Sequence, residues 1–125
     1  MAAAVEVGTL HETLHETLHV TLQEYAPQSM VRTEDVTVTN AVLKHGKLFV
    51  GNPIHYKLMQ PNACHNNVYH LWKNNKIANM CVGYALAPDR TWRFHSWGLS
   101  HNLEIVETTA PFLLYFGCVL QKQAE

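Results

Sequence analysis

Hydrophobic residues recur at every fourth position near the start of the chain, in residues 9–24, TLHETLHETLHVTLQE. On a helix, leucines at this spacing form one slowly drifting stripe that can be buried: Leu10, Leu14, Leu18 and Leu22. Thr9 and Glu12 have the spacing of a capping box, and Pro27 disfavours helix at the residue before it. The pattern predicts an N-terminal amphipathic helix. Its stripe packs either on the chain's own sheet or on a second copy, in a homodimer.

Most of the remaining chain consists of short segments rich in β-branched and aromatic residues, which are typical of strands. Residues 35–44, DVTVTNAVLK, and 46–52, GKLFVGN, predict a strand pair. A helix is predicted from Cys64 to about Asn75, where NNK breaks the pattern. Further strands are predicted in the segments MCVGYALA, TWRFHSWGL, LEIVETT and FLLYFGCVL. Helices and strands in this order predict an α+β domain with an antiparallel sheet.

Composition narrows the class of protein. A chain of 125 residues is most simply one domain, with 1–28 as N-terminal helix and linker and 29–125 as the α+β core. A net charge of −1 gives no reason to expect nucleic acid, which calls for a basic patch. No apolar run approaches the ~18 residues of a membrane span, so we expect no membrane association. The first ten residues lack the basic region of a signal peptide.

The three cysteines, Cys64, Cys81 and Cys118, are far apart and form no C-x-x-C pair. This spacing argues against a disulfide framework and a zinc ribbon. For this reason we expect no metal or other cofactor. The spacing also suits a reducing compartment, so we expect a cytoplasmic protein. Cys81 and Cys118 lie inside apolar segments and are predicted to be core residues.

Cys64 has a different setting, because it follows the turn-forming Pro61-Asn62 pair and opens the predicted helix. A thiol at a helix N-terminus has its pKa lowered by free N–H groups and the helix dipole. Cys64 is therefore a candidate nucleophile. Gln60 is a candidate donor for an oxyanion hole.

A predicted hairpin supplies the rest of a catalytic triad. If residues 100–102, Ser-His-Asn, form a three-residue loop with Asn102 in the left-handed conformation, Trp97 faces Ile105 and His95 faces Glu107. Directly opposed Cβ atoms lie about 4.5–5.5 Å apart. A carboxylate held against an imidazole fixes its tautomer and stabilises its charged form. Cys64, His95 and Glu107 thus form a candidate Cys-His-Glu triad.

The sequence resembles the transglutaminase-like branch of the papain-like cysteine peptidase superfamily over roughly residues 58–110. The resemblance is carried by Cys64 at a helix start, by His95-Ser96-Trp97 on one strand and by Glu107-Thr108-Thr109 on the next. That family has Cys, His and Asp in this order, with H-x-W and Asp-Pro-Thr motifs. Here glutamate replaces the aspartate and Thr108 replaces the proline. The resemblance implies a papain-like core and acyl transfer through a thioester, with a peptide, protein or amide substrate.

Other hypotheses remain open. The repeat spells HETLH at 11–15 and 15–19, and H-E-x-x-H on a helix can bind zinc through two histidines, with the glutamate as general base. His11 and His15 would then be metal ligands of a zinc hydrolase, with His45 or His55 as a third ligand. A period of four that contains His-Glu also produces this motif automatically. Finally, His95 can be a core histidine satisfied by Glu107, in a binding or regulatory module that does no catalysis.

Overall fold

The computed structural model describes the backbone of residues 7–31 and 36–122 and the side chains of 16–29 and 39–120. Within these ranges the fold is α+β, as predicted. The helices are α1 (Val7–Tyr25), α2 (Val36–His45) and α3 (Cys64–Lys73). The strands are β1 (Met30–Val31), β2 (Lys47–Leu48), β3 (Ile54–Tyr56), β4 (Asn79–Leu86), β5 (Thr91–Leu99), β6 (Ile105–Glu107) and β7 (Leu114–Lys122).

The strands form one mixed sheet with the order β2-β7-β4-β5-β6-β3, and β1 pairs separately with β5. The predicted antiparallel arrangement is confirmed for the long central strands. The antiparallel prediction is wrong for two short strands. β1 runs parallel to β5, and β3 runs parallel to β6. In each of these pairs a long stretch of chain, and not a hairpin, separates the two strands. Only a tight hairpin forces neighbouring strands to be antiparallel.

The outer edge of β5 is shared by two strands that do not meet. β1 pairs with residues 91–92 and β6 with residues 98–99. Between them, no described strand pairs with residues 93–97 on this edge. The N-terminus of α3 lies against this gap, which is where the candidate site is built.

Residues 36–45 form the helix α2, so the strand predicted at 35–44 is wrong. Thr39 and Val42 are 1% and 0% exposed, and their spacing of three places both on one helical face. Thr39 Oγ1 also lies 3.0 Å from Tyr84 Oη. Burial of this face overrides the weak strand preference of the β-branched residues. The following segment keeps only the short strand β2, which pairs with β7.

The helix predictions at 9–24 and from Cys64 are confirmed, with ends that differ by up to two residues. Leu18 and Leu22 of the leucine stripe are fully buried against Trp92 and Phe116, in a cluster between the first two helices and the sheet. The stripe therefore packs on the chain's own sheet at these two positions. Cys81 is buried in a second cluster with Trp97.

Candidate active site

Cys64 is the first residue of α3, at the end of a turn in which Asn62 adopts the left-handed conformation (φ 58°). The N-cap residue, Ala63, provides no side-chain hydrogen bond to the first turn. The N–H groups of that turn therefore remain available to another acceptor. One of them, the backbone N–H of His65, lowers the pKa of the Cys64 thiol.

The second backbone group that lowers the pKa of the Cys64 thiol is the N–H of Ser96, on β5. Ser100 N–H donates to Glu104 O on the side of β5 that faces β6. Alternate residues of a strand direct their backbone groups to the same side, so Ser96 directs its N–H to the same edge. Ser96 lies in the gap between β1 and β6, where the N–H is free to bind sulfur instead of a strand.

His95 lies between the thiol and a carboxylate. Its Nε2 is 2.8 Å from Glu107 Oε1, and interaction with Cys64, like that with Glu107, raises the pKa of His95. Because Nε2 binds the carboxylate, Nδ1 is the ring nitrogen left for the sulfur. The predicted association of His95 with both Cys64 and Glu107 is therefore present.

The hairpin register that led to this prediction is wrong. Leu99 pairs with Ile105 and Gly98 with Val106, so the loop spans residues 100–104. Its left-handed residue is Leu103 (φ 62°) and not Asn102. The reason is Ser100, whose Oγ accepts hydrogen bonds from two N–H groups inside the loop and widens it. Extending the observed register places Trp97 opposite Glu107, so His95 reaches the carboxylate along a diagonal.

Glu107 is fully buried, and its carboxylate is surrounded by hydrogen-bond donors. Oε1 accepts from His95 and from the hydroxyl of Tyr115, which lies 2.7 Å away. Oε2 accepts from the N–H and the hydroxyl of Thr109, at 2.9 and 3.0 Å. Burial alone would raise the pKa of Glu107, but the His95 bond and the other donors outweigh it and lower the pKa. The carboxylate is thus held charged and in one orientation.

The electrostatics favour a thiolate–imidazolium pair. Burial opposes ionisation of the thiol, yet the hydrogen bond and charge of His95 and the two N–H donors lower the pKa of Cys64. Burial likewise opposes the charge on His95, but Cys64 and Glu107 raise its pKa to about 9. The thiol therefore loses its proton at a lower pH than an ordinary cysteine, and the imidazole keeps its proton to a higher pH than an ordinary histidine. Both shifts widen the pH range over which the thiolate and the imidazolium exist together.

Three aromatic rings surround the imidazole of His95. The Phe112 ring centroid is 4.5 Å away, and those of Trp97 and Tyr115 are 6.2 and 6.4 Å away. Aromatic faces attract a cation and exclude water. This arrangement keeps the imidazole in place and leaves His95 only 4% exposed.

Cys64 and His95 open into a cleft of about 370 Å³. It is also lined by Pro61, Asn62, Arg93, Phe94, Thr109, Ala110 and Phe112. Gln60 lies just before this lining and is exposed, and its backbone carbonyl accepts a hydrogen bond from Asn67 Nδ2 (2.8 Å). The side chain of Asn67 also bonds Thr108 (3.2 Å). Asn67 thereby ties the loop before Cys64 to the segment after Glu107.

The backbone N–H groups of His65 and Ser96, whose contribution the sequence pattern does not indicate, both lower the pKa of the Cys64 thiol. Their side chains are also joined to each other, His65 Nδ1 to Ser96 Oγ. The position of His65 next to Cys64 and of Ser96 inside the HSW motif is the only sequence signal. Tyr115 was also missed, because a tyrosine in an apolar strand is ordinarily a core residue.

The HETLH hypothesis is not tested, because the side chains of His11 and His15 lie outside the described residues. His45 and His55, the suggested third ligands, are exposed at the end of α2 and on β3. Among the side chains that are described, no three His, Cys, Asp or Glu residues are grouped in a way that could hold a metal ion.

Comparison with known proteins found no matching family model, no matching curated protein and no matching solved structure. No helix in the described part of the chain has the length and apolar character needed to cross a membrane.

Proposed function

We propose that the protein is a cysteine-dependent acyl-transfer enzyme, an amide or peptide hydrolase or a transglutaminase-like enzyme, with Cys64, His95 and Glu107 as its triad. The observation that carries the proposal is the position of His95 between the thiol and a fully buried carboxylate, beside a cleft. The resemblance to transglutaminase-like and papain-like proteins, including a papain-like core, belongs to the same proposal.

The first half of the reaction forms a thioester. The Cys64 thiolate attacks the carbonyl carbon of the substrate, and a C–S bond forms while the carbonyl oxygen becomes an oxyanion. The His95 imidazolium then gives its proton to the leaving nitrogen as the C–N bond breaks. Glu107 holds the imidazole in the tautomer that directs Nδ1 to the sulfur.

The second half releases the acyl group. Neutral His95 removes a proton from water, or from an amine in transamidation, and that nucleophile attacks the thioester carbon. The C–S bond breaks and the thiolate returns, paired again with the imidazolium. The backbone N–H of Cys64 is the proposed oxyanion donor at the helix start, with the side-chain amide of Gln60 as the second.

Alkylation of Cys64 tests the charged pair. Wild type and His95→Ala are treated with iodoacetamide across a range of pH, and each cysteine is read by peptide mass spectrometry. Cys81 is an internal control because burial raises the pKa of its thiol to about 12. His70→Ala is a matched control, since His70 is an exposed histidine on the same helix. We expect Cys64 to react well below pH 8.5, the ordinary titration range of cysteine, and His95→Ala alone to remove this reactivity.

Acyl transfer itself is tested with activated p-nitrophenyl esters and a library of peptide amides. We expect one acyl group to be added to Cys64 and then released, with no acylation in Cys64→Ala and with slow acylation and slow release in His95→Ala. Turnover in Cys64→Ala equal to wild type would disprove the mechanism. Turnover that requires zinc, His11 and His15 would favour the zinc hydrolase instead. A reactive thiol without acylation by any ester would favour a binding module.

A further inference from the structure

The cleft that contains Cys64 and His95 also contains a guanidinium group. Arg93 lies two residues before His95 on β5, and the alternation of side chains along a strand places both on one face. The side chain of Arg93 lines the cleft and is 52% exposed. Among the described residues of the lining, it is the one whose side chain is permanently charged.

The guanidinium of Arg93 is only partly used. Its Nη2 lies 2.9 Å from Asp89 Oδ2, and its Nε donates to Thr91 Oγ1 at 3.1 Å. These contacts do not involve Nη1. A guanidinium presents donors in a planar fork that matches the two oxygens of a carboxylate. Arg93 therefore retains a donor for a second anion in the cleft.

Asp89 does not depend on Arg93 for its own hydrogen bonds. Its Oδ1 accepts from the hydroxyl of Thr91 at 2.7 Å and from the Thr91 N–H at 3.1 Å. The bonds from Thr91 are also the main reason that the pKa of Asp89 is lowered. An exposed ion pair such as Arg93–Asp89 is weak. A ligand carboxylate can thus share or replace Asp89 without leaving a buried charge unpaired.

The surroundings of Arg93 strengthen its attraction for an anion. Pro61, Phe94 and Phe112 form apolar parts of the same lining, and charges interact more strongly beside apolar walls than in water. The positive charge of His95 is balanced by Cys64 and Glu107. Arg93 is therefore the cation in the cleft that is best placed to select a ligand by charge.

We propose that Arg93 binds a carboxylate of the substrate, so that the acyl donors attacked by Cys64 are carboxylate-bearing amides, such as peptides with an acidic group near the scissile bond. The identity of the bond that is cleaved rests on the proposed function. The recognition of a carboxylate by Arg93 is a separate property and can be measured without turnover.

Two alkylating agents of similar size separate these properties. Cys64 displaces iodide from either iodoacetamide or iodoacetate, forming a C–S bond, and only iodoacetate carries a negative charge. The ratio of the two rate constants at Cys64 is measured at neutral pH and low salt, in wild type and in Arg93→Gln. We expect Arg93→Gln to lower the iodoacetate-to-iodoacetamide ratio about fivefold, as expected for loss of one partly exposed ion pair. Arg93→Lys should keep most of the ratio.

Two matched variants control for general charge effects. Arg90 is an exposed arginine on the adjacent turn whose Nη2 donates to Pro27 O, away from the cleft, so Arg90→Gln should leave the ratio unchanged. Asp89→Asn removes the competing anion and should raise it.

An unchanged ratio in Arg93→Gln, or an equal fall in Arg90→Gln, would overturn the role of Arg93. Slow iodoacetamide alkylation of wild-type Cys64 would instead count against the thiolate, whatever the ratio.

Discussion

Replacement of Glu107 by glutamine removes one charge from the buried pair while keeping the size of the side chain. The pKa of His95 is raised from 6.5 to about 9 by Cys64 and Glu107 together. At about 1.4 kcal/mol per pKa unit, this difference of 2.5 corresponds to roughly 3.5 kcal/mol. If Glu107 supplies a third of this difference or more, Glu107→Gln lowers the pKa of His95 by about 0.8 or more.

The pKa of His95 can be followed by NMR titration of its ring Cε1–H, with His95→Ala to assign the signal among nine histidines. Tyr115→Phe is the matched control, because it removes one hydrogen bond to the same carboxylate oxygen but leaves the charge. We expect a clear fall in Glu107→Gln and a much smaller one in Tyr115→Phe. An unchanged titration of His95 in Glu107→Gln would refute the assignment of Glu107 as the group that holds the imidazolium.

The same substitution should lower the free energy of unfolding, by about 3 kcal/mol near neutral pH, because it breaks a buried charged pair from one side. Tyr115→Phe should cost about 2 kcal/mol, a usual value for one hydrogen bond to a charged group. The pKa of Glu107 is lowered in the folded state. Its contribution is therefore present above its unfolded pKa of 4.5 and lost as the pH falls below that value. In urea titrations, the difference between wild type and Glu107→Gln should narrow in acid.

Two further predictions concern the hydrogen bond between the side chains of His65 and Ser96 and the packing of the sheet at Gly83. His65→Ala removes the bond to Ser96 Oγ and should raise the pH at which Cys64 is alkylated by about half a unit. His65→Asn can restore this bond without a titrating ring, so it should restore wild-type behaviour. If it does not, the His65–Ser96 bond is excluded as the cause. Gly83→Ala should destabilise the protein by about 2 kcal/mol or more in urea, because its Cβ would lie 2.2 Å from a carbonyl oxygen of β7. Gly51→Ala should cost only the strain of its positive φ (78°), about 1 kcal/mol, since its Cβ meets nothing within 4 Å. An equal loss of unfolding free energy in the two variants would contradict this account of Gly83.

The candidate pair His95–Glu107 could be predicted from the sequence even though the hairpin register was wrong. The predicted and observed registers differ by two residues, which keeps Glu107 on the face that carries His95. A difference of one residue would have moved it to the other face. Alternation along a strand is a strong local signal, whereas loop length depends on side chains such as Ser100.

The helix that begins at Cys64 could also be predicted, because a turn signal and a helical pattern coincide there. The helix α2 could not, since its β-branched residues favour a strand locally and its burial depends on Tyr84, far along the chain. Two of the groups around the thiol and the carboxylate depend in the same way on how the strands are arranged in the sheet. Ser96 can act on the thiol because its strand lacks a neighbour at that point, and the Tyr115 hydroxyl reaches Glu107 from β7, which β4 and β5 separate from β6 in the sheet.

The gap on the edge of β5 also makes the chemistry of Cys64 conditional on folding. The groups that make the thiol acidic, His95 and the N–H of Ser96, follow it in the chain and reach it only when α3 docks against that strand. An unfolded or nascent chain holds an ordinary cysteine that titrates near pH 8.5 and reacts slowly at neutral pH. Rapid alkylation of Cys64 therefore reports that this docking has occurred. The moment at which rapid alkylation appears during refolding would show when α3 contacts β5. Cys64 is therefore expected to stay slow to react until α3 has docked against β5.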